Sequence, residues 1–164
     1  MRARNILIGL GIVVAVSGWY AFRPERLFVN QTVNESLGAV TAASDAAADV
    51  PMTLAAGTFH SNAHQTTGTA TVLDVGGGRR VLRLTDFATS NGPDVRVYLV
   101  AVADVQDDAT VKAAGFVDLG LMKGNIGDQN YEIPATVDLA SYRTVTIWCK
   151  RFNVNFGSAP LAKS

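Results

Sequence analysis

Residues 142–156 read Tyr-Arg-Thr-Val-Thr-Ile-Trp-Cys-Lys-Arg-Phe-Asn-Val-Asn-Phe, and this stretch decides the fold. Val145, Ile147 and Cys149 share one parity while Thr144, Thr146 and Trp148 share the other, which is the alternation of a β-strand with one buried face. Cys149 therefore points inward. Beyond Lys150 and Arg151 the apolar parity changes, because Phe152, Val154 and Phe156 are even and Asn153 and Asn155 odd. A slip of one residue turns every side chain to the opposite face, so a bulge or bend is expected at Lys150 and Arg151, followed by a second strand that Gly157 ends.

Working outward from there, strand-like runs recur at short intervals between turn formers. Gly57-Thr58-Phe59 is followed by residues 68–73, then by Val81-Leu82-Arg83-Leu84, in which both leucines face in and Arg83 faces out. The intervening Gly76-Gly77-Gly78 is no phosphate loop, since it lacks the Gly-Lys-Ser/Thr ending and leads into a strand. Ser90-Asn91-Gly92-Pro93-Asp94 is a dense turn signal ahead of Val95, Val97 and Leu99. Residues 101–114 read either as one short helix or as a loop solvated by Asp104, Asp107 and Asp108. Residues 117–122 and 131–134 complete the series. Seven or eight short strands with almost no helix predict an all-β domain, an antiparallel β-sandwich or barrel.

The N-terminal part has a different composition. Residues 6–22 carry no charge, with Arg2 and Arg4 before them and Trp19 and Tyr20 near the far end, a pattern that predicts one transmembrane helix. A cleaved signal segment is the other reading; Val16-Ser17-Gly18 is a poor cleavage site because it leads into Trp19-Tyr20-Ala21-Phe22. The expected layout is a membrane anchor or signal segment over residues 1–26, a low-complexity tether over 27–56 and a β domain over 57–164. The N-terminal amine and Glu25 tilt the charge balance toward a single pass at the cell membrane, with the C-terminal domain on the extracytoplasmic side.

The whole chain has 14 Lys plus Arg against 14 Asp plus Glu. No basic patch argues for a nucleic-acid partner. One cysteine excludes an intrachain disulfide, so an exported domain here stands on its hydrophobic core alone.

Few residues can carry chemistry. Cys149 is either a small buried apolar residue or a thiol held beside Trp148 for redox or metal chemistry. His60, His64 and Cys149 are the ligand types of a blue-copper site, with Met52 or Met122 as axial candidates, but no His or Met follows Cys149 closely and spacing does not promote the set. No metal is assigned and no cofactor follows from the residues. Asn125, Asp128 and Asn130 lack the spaced acids and closing glutamate of a helix-loop-helix calcium site. A Ser-His-Asp set has to be assembled from distant residues without a nucleophile elbow, so a redox or binding domain is favoured over an enzyme.

An ordered series of short motifs is more specific than any of these. Gly57-x-Phe59, His64 ahead of Gly68, Asn91-Gly92-Pro93-Asp94 with Val97-Tyr98-Leu99, Lys123-Gly124 with Gln129-Asn130-Tyr131 and Ile133-Pro134, and Ile147-Trp148-Cys149 with Phe152, Val154 and Phe156-Gly157 together resemble the DM-thirteen domain. That module occurs in Skeletor-type proteins and beside DOMON and cytochrome domains. The resemblance covers residues 57–161 and implies a β-rich extracytoplasmic domain that transfers electrons through its cysteine, here Cys149, with His64 as its paired residue. The chain carries no cytochrome or DOMON segment, so an electron path would leave it for a membrane redox protein. The expectation is a thiol-based electron-transfer accessory with Cys149, His64 and Trp148 at its site. Its rival is a non-redox binding or adhesion module in which Cys149 only fills the core.

Overall fold

Among the described residues, ten strands pair into two antiparallel sheets of five. A computed structural model describes residues 2–22, 29–38 and 50–164. After helix α1 (Arg2–Phe22) come β1 (Met52–Thr58), β2 (His60–Ser61), β3 (Thr67–Asp74), β4 (Arg80–Ala88), β5 (Val95–Val100), α2 (Asp108–Ala114), β6 (Phe116–Leu121), β7 (Gln129–Ile133), β8 (Thr144–Cys149), β9 (Val154–Pro160) and β10 (Ala162–Lys163). One sheet runs β10-β1-β3-β4-β7 and the other β2-β9-β8-β5-β6. The sheets do not close on each other, so of the two expected architectures the sandwich forms and the barrel does not.

Between the sheets lies one core. Ala70, Val72, Leu82 and Leu84 come to it from the first sheet, and Val97, Leu99, Val145 and Ile147 from the second, all fully buried. Two close approaches depend on glycine. A Cβ on Gly57 would stand 2.0 Å from the Pro160 carbonyl oxygen, and one on Gly157 would stand 2.5 Å from Thr66 Cβ, so neither backbone leaves room for a side chain.

The stretch that predicted the fold is a hairpin, with one correction. Residues 150–153 form the turn, Asn153 takes a left-handed φ of 55°, and Phe152 is exposed there. The bulge lies farther on. Ile147 pairs with Gly157 but Trp148 with Asn155, which leaves Phe156 as the extra residue. Nor does Gly157 end the strand, because β9 continues to Pro160. The physical reason is that a parity change reports an inserted residue without saying where it was inserted, and a four-residue turn absorbs any phase.

The opposite face of the second sheet is also covered. Residues 101–107 and α2 lay Val105 and Val111 over Tyr98, Val100 and Trp148. Asp107 caps α2 by accepting from the Thr110 amide at 2.7 Å. The short helix is thus the outcome of the two readings of this segment.

At the N-terminus a helix forms where one was expected. Among the described residues, however, no helix is long and apolar enough to cross a membrane. The expected transmembrane helix is corrected to that extent, and the length of the uncharged run gives a physical reason. Residues 6–22 rise about 26 Å at 1.5 Å each, at the short end for a hydrocarbon core of roughly 30 Å, and Gly9, Gly11, Ser17 and Gly18 dilute its apolar surface.

The expected tether is described in part. Residues 39–49, with the alanine-rich run, lie outside the described residues, as do Arg23, Glu25 and Arg26 of the orientation reading. Residues 29–38 are not a free linker but a strap bound to the domain. Thr32 bridges Ile126 in parallel, and the amides of Val33 and Glu35 donate to the carbonyls of Ile126 and Asp128, each at 2.9 Å. The first strand then begins at Met52, ahead of the boundary expected at Gly57.

Candidate functional site

Cys149 closes β8 on the core face, opposite Val95 of β5 and Val154 of β9. It is 1 % exposed, so the inward direction read from parity is realised. What covers it is the 91–94 loop. A Cβ built on Gly92 would lie 3.7 Å from the Cys149 sulfur, 3.2 Å from Phe156 Cζ and 2.6 Å from Val95 Cγ2. The distance to the sulfur is ordinary contact, whereas the approach to Val95 leaves no room for a side chain, and Gly92 itself is partly exposed. The loop is fixed at its Asp94 end. Lys150 donates its amide to the Asp94 carbonyl at 2.8 Å, and Asp94 accepts from Arg96 Nε at 2.8 Å. Arg96 also reaches Asp118 at 2.9 Å, and the hydrogen bonds to Asp94 and Asp118 hold its guanidinium above the usual range despite some burial.

His64 reaches the thiol's neighbourhood through Phe156. The loop carrying it lies across β9: the amides of Asn62 and His64 both donate to the Phe156 carbonyl, at 3.0 and 3.2 Å, and Ala63 donates to Asn155 at 3.0 Å. The imidazole packs on the Phe156 ring with centroids 3.9 Å apart. Phe156 and Cys149 belong to one core cluster and both lie within 3.7 Å of a Cβ placed on Gly92, so Cys149, Phe156 and His64 form a series from core to half-buried surface.

Trp148 is not part of this series. Alternation sends it to the far side of the sheet, where it stacks with Tyr98 at 6.4 Å under α2. Being next to Cys149 in sequence separates the two side chains by the thickness of the sheet.

On that far side sits the other histidine. His60 Nε2 is 2.9 Å from Asp104 Oδ1. Burial alone would push the Asp104 carboxyl up, but hydrogen bonds from His60, the Gln106 side chain and the Val105 amide hold it below the ordinary carboxyl range. Asn62 adds a bond of 2.8 Å to the Gln106 carbonyl. His60 therefore ties residues 101–107 to β2. The two histidines serve opposite faces, and among the described residues no group of three His, Cys, Asp or Glu is placed to hold a metal ion.

The 123–130 loop has a structural assignment that sequence reasoning missed. Buried Gln129 accepts from the amides of Lys123 and Gly124 and from the Tyr131 hydroxyl, at 3.1, 3.2 and 2.7 Å, and donates to the Gly124 carbonyl at 2.8 Å. Burial pushes the Tyr131 hydroxyl pKa up, so it stays a neutral donor. Asp128, read as a weak calcium candidate, instead pairs with Arg83 at 2.6 Å. Asn125 receives the Gln31 amide at 2.7 Å and donates to Asn30 at 3.0 Å. This loop is the seat of the strap. The signal for it was in the motifs Lys123-Gly124 and Gln129-Asn130-Tyr131, but their partners are about a hundred residues away and follow no periodicity.

The arrangement offers a single enclosed thiol, an aromatic ring beside it and an imidazole on that ring's outer side. It can exchange one electron, or attack a partner's disulfide to form a mixed disulfide with release of the partner's other thiol, but it cannot make a disulfide of its own. No curated protein matches the chain, and no solved structure does. The family model described as electron transfer DM13 matches residues 58–161. That match spans both sheets, the 91–94 loop, His64, Phe156 and Cys149. The chain belongs to the electron transfer DM13 family.

Proposed function

We propose that this chain is an extracytoplasmic electron-transfer domain, held at the cell membrane by its N-terminal segment, that exchanges electrons between Cys149 and a redox protein of that membrane. The observation that carries this reading is the placement of Cys149, Phe156 and His64 in series within a domain of an electron-transfer family. In the oxidising direction the S–H bond breaks, one electron passes to the partner's oxidised centre, the proton goes to water and Cys149 is left as a thiyl radical, which the reverse step reduces to the thiol. His64 is the residue at the surface end of the series. Trp148, on the other face, supports β8 rather than touching the thiol. Membrane attachment is supported by α1, whose side chains at Ile6, Ile8, Leu10, Ile12, Val13 and Val16 are all exposed.

Burial of Cys149 favours a second reading, an extracytoplasmic binding module in which the thiol is packing. Voltammetry of the purified full chain on an electrode separates the two, because the electrode replaces the unknown partner. A redox wave that disappears in Cys149→Ser and shifts in His64→Ala is expected. A wave that survives Cys149→Ser would end the electron-transfer reading.

A further inference from the structure

The strap and the 91–94 loop share a cleft. Val29, Gln31, Asn91, Gly92, Gly124 and Asn125 line a space of about 80 Å³, and Gly92 is the wall between that space and the Cys149 sulfur. Asn91 donates to the Val29 carbonyl at 2.9 Å, so the strap is tied directly to the loop that covers the thiol. We propose that residues 29–38 are a removable cover, and that release of this strap opens the route by which a small reactant or partner group reaches Cys149 past Gly92. This rests on the reading of Cys149 as the redox group and specifies how access to it is regulated.

Three observations distinguish a removable cover from an ordinary part of the sandwich. The strap is held by hydrogen bonds and an ion pair, Lys123 to Glu35 at 2.8 Å, while its apolar contributions are the partly buried Val33 against Gly124 and the partly buried Leu37 against Leu73, Val75 and Val81. Such contacts are individually weak at a surface. Its seat depends on two glycines: a Cβ on Gly124 would stand 2.4 Å from the Gln31 carbonyl oxygen, and one on Gly127 would stand 2.2 Å from that of Val33. Finally, the strap lies between α1 and the domain in the chain, so a pull or a binding event at the N-terminal segment acts on it first.

Gly124→Ala in the full chain tests the proposal, because Gly124 has no left-handed φ and the added methyl meets the strap rather than straining its own loop. Two quantities are read: hydrogen exchange at the Val33 and Glu35 amides, and the rate at which iodoacetamide alkylates Cys149. Val111→Ala, under α2 and away from both the strap and the thiol, serves as a variant of lowered stability. Faster exchange at both amides, with alkylation at least about tenfold faster than in Val111→Ala, is the expected result. Exchange that speeds up without faster alkylation overturns the proposal, since the strap then covers nothing; amides that stay protected overturn it too, since a strap that tolerates a 2.4 Å clash is not separable from the fold. The outcome is independent of the redox reading. Faster alkylation with no voltammetric wave would leave the route standing and remove the electron-transfer reading alone.

Discussion

The imidazole of His64 and the ring of Phe156 lie 3.9 Å apart, centroid to centroid, and tilted by 43°. This contact exists because Phe156 is the bulged residue of β9 while the backbone of the His64 loop is hydrogen-bonded to the same strand. Replacing Phe156 by Leu keeps most of the buried volume and removes the ring. The variant should lose less than about 1.5 kcal/mol of stability. The ring-current shift of the His64 side-chain protons should vanish in its NMR spectrum. Unmoved His64 resonances would show that the two rings do not meet in solution.

Gly157 gives a second test of the same loop. With Thr66 Oγ1 at 2.6 Å and the His60 carbonyl at 2.8 Å from a Cβ placed there, Gly157→Ala has to push residues 60–66 off the sheet. A cost of about 1–3 kcal/mol is expected, as for other overpacked sites. Denaturant unfolding measures it, and a neutral result would mean that the loop yields without cost.

Acid should release the strap. Burial alone would raise the Glu35 carboxyl, but the hydrogen bond and charge of Lys123, the Asn130 amide and the charge of Arg83 lower it below its ordinary value of 4.5. A carboxyl lowered in the folded state contributes stability that is fully present above that ordinary value and is lost as pH falls through the lowered one. The side chains of the ion pair are 41 % and 33 % exposed, so solvent screening limits its contribution to below about 1 kcal/mol. Glu35→Gln should therefore loosen the Val33 and Glu35 amides at neutral pH and flatten their response to acid. Protection factors that fall with pH as steeply as in wild type would count against Glu35 as the holding group.

Much of this fold was legible because its strands turn one apolar face to the common core, although in β8 the other face is buried as well. Val145, Ile147 and Cys149 announced both strand and direction, and the same held for Leu82 and Leu84. What was not legible depended on single positions with distant partners. The bulge at Phe156 could not be told from a shift at the turn, since both produce the same parity. The strap was read as a tether because Asn30, Asn34 and Glu35 bind through hydrogen bonds, which leave no apolar period in the sequence. Of the three site residues, Cys149 and His64 converge through Phe156, whereas sequence adjacency gave Trp148 a place at the thiol that alternation denies it. Gly92 was read as a turn residue, and only the folded chain shows the sulfur beneath it.

Stability alone will not decide what Cys149 does. With the thiol 1 % exposed, Cys149→Ser buries a hydroxyl among Val95, Val154 and Phe156, and a loss on the order of 1–3 kcal/mol is expected whether the residue serves packing or chemistry. Cys149→Ala avoids the unpaired hydroxyl and should cost less than Cys149→Ser. The pair of variants therefore separates packing from chemistry once redox behaviour is measured beside unfolding. Equal loss of the voltammetric wave in both, despite unequal stability, would assign the wave to the sulfur. A wave whose size instead follows the fraction of folded protein in each variant would assign it to some other group in the domain.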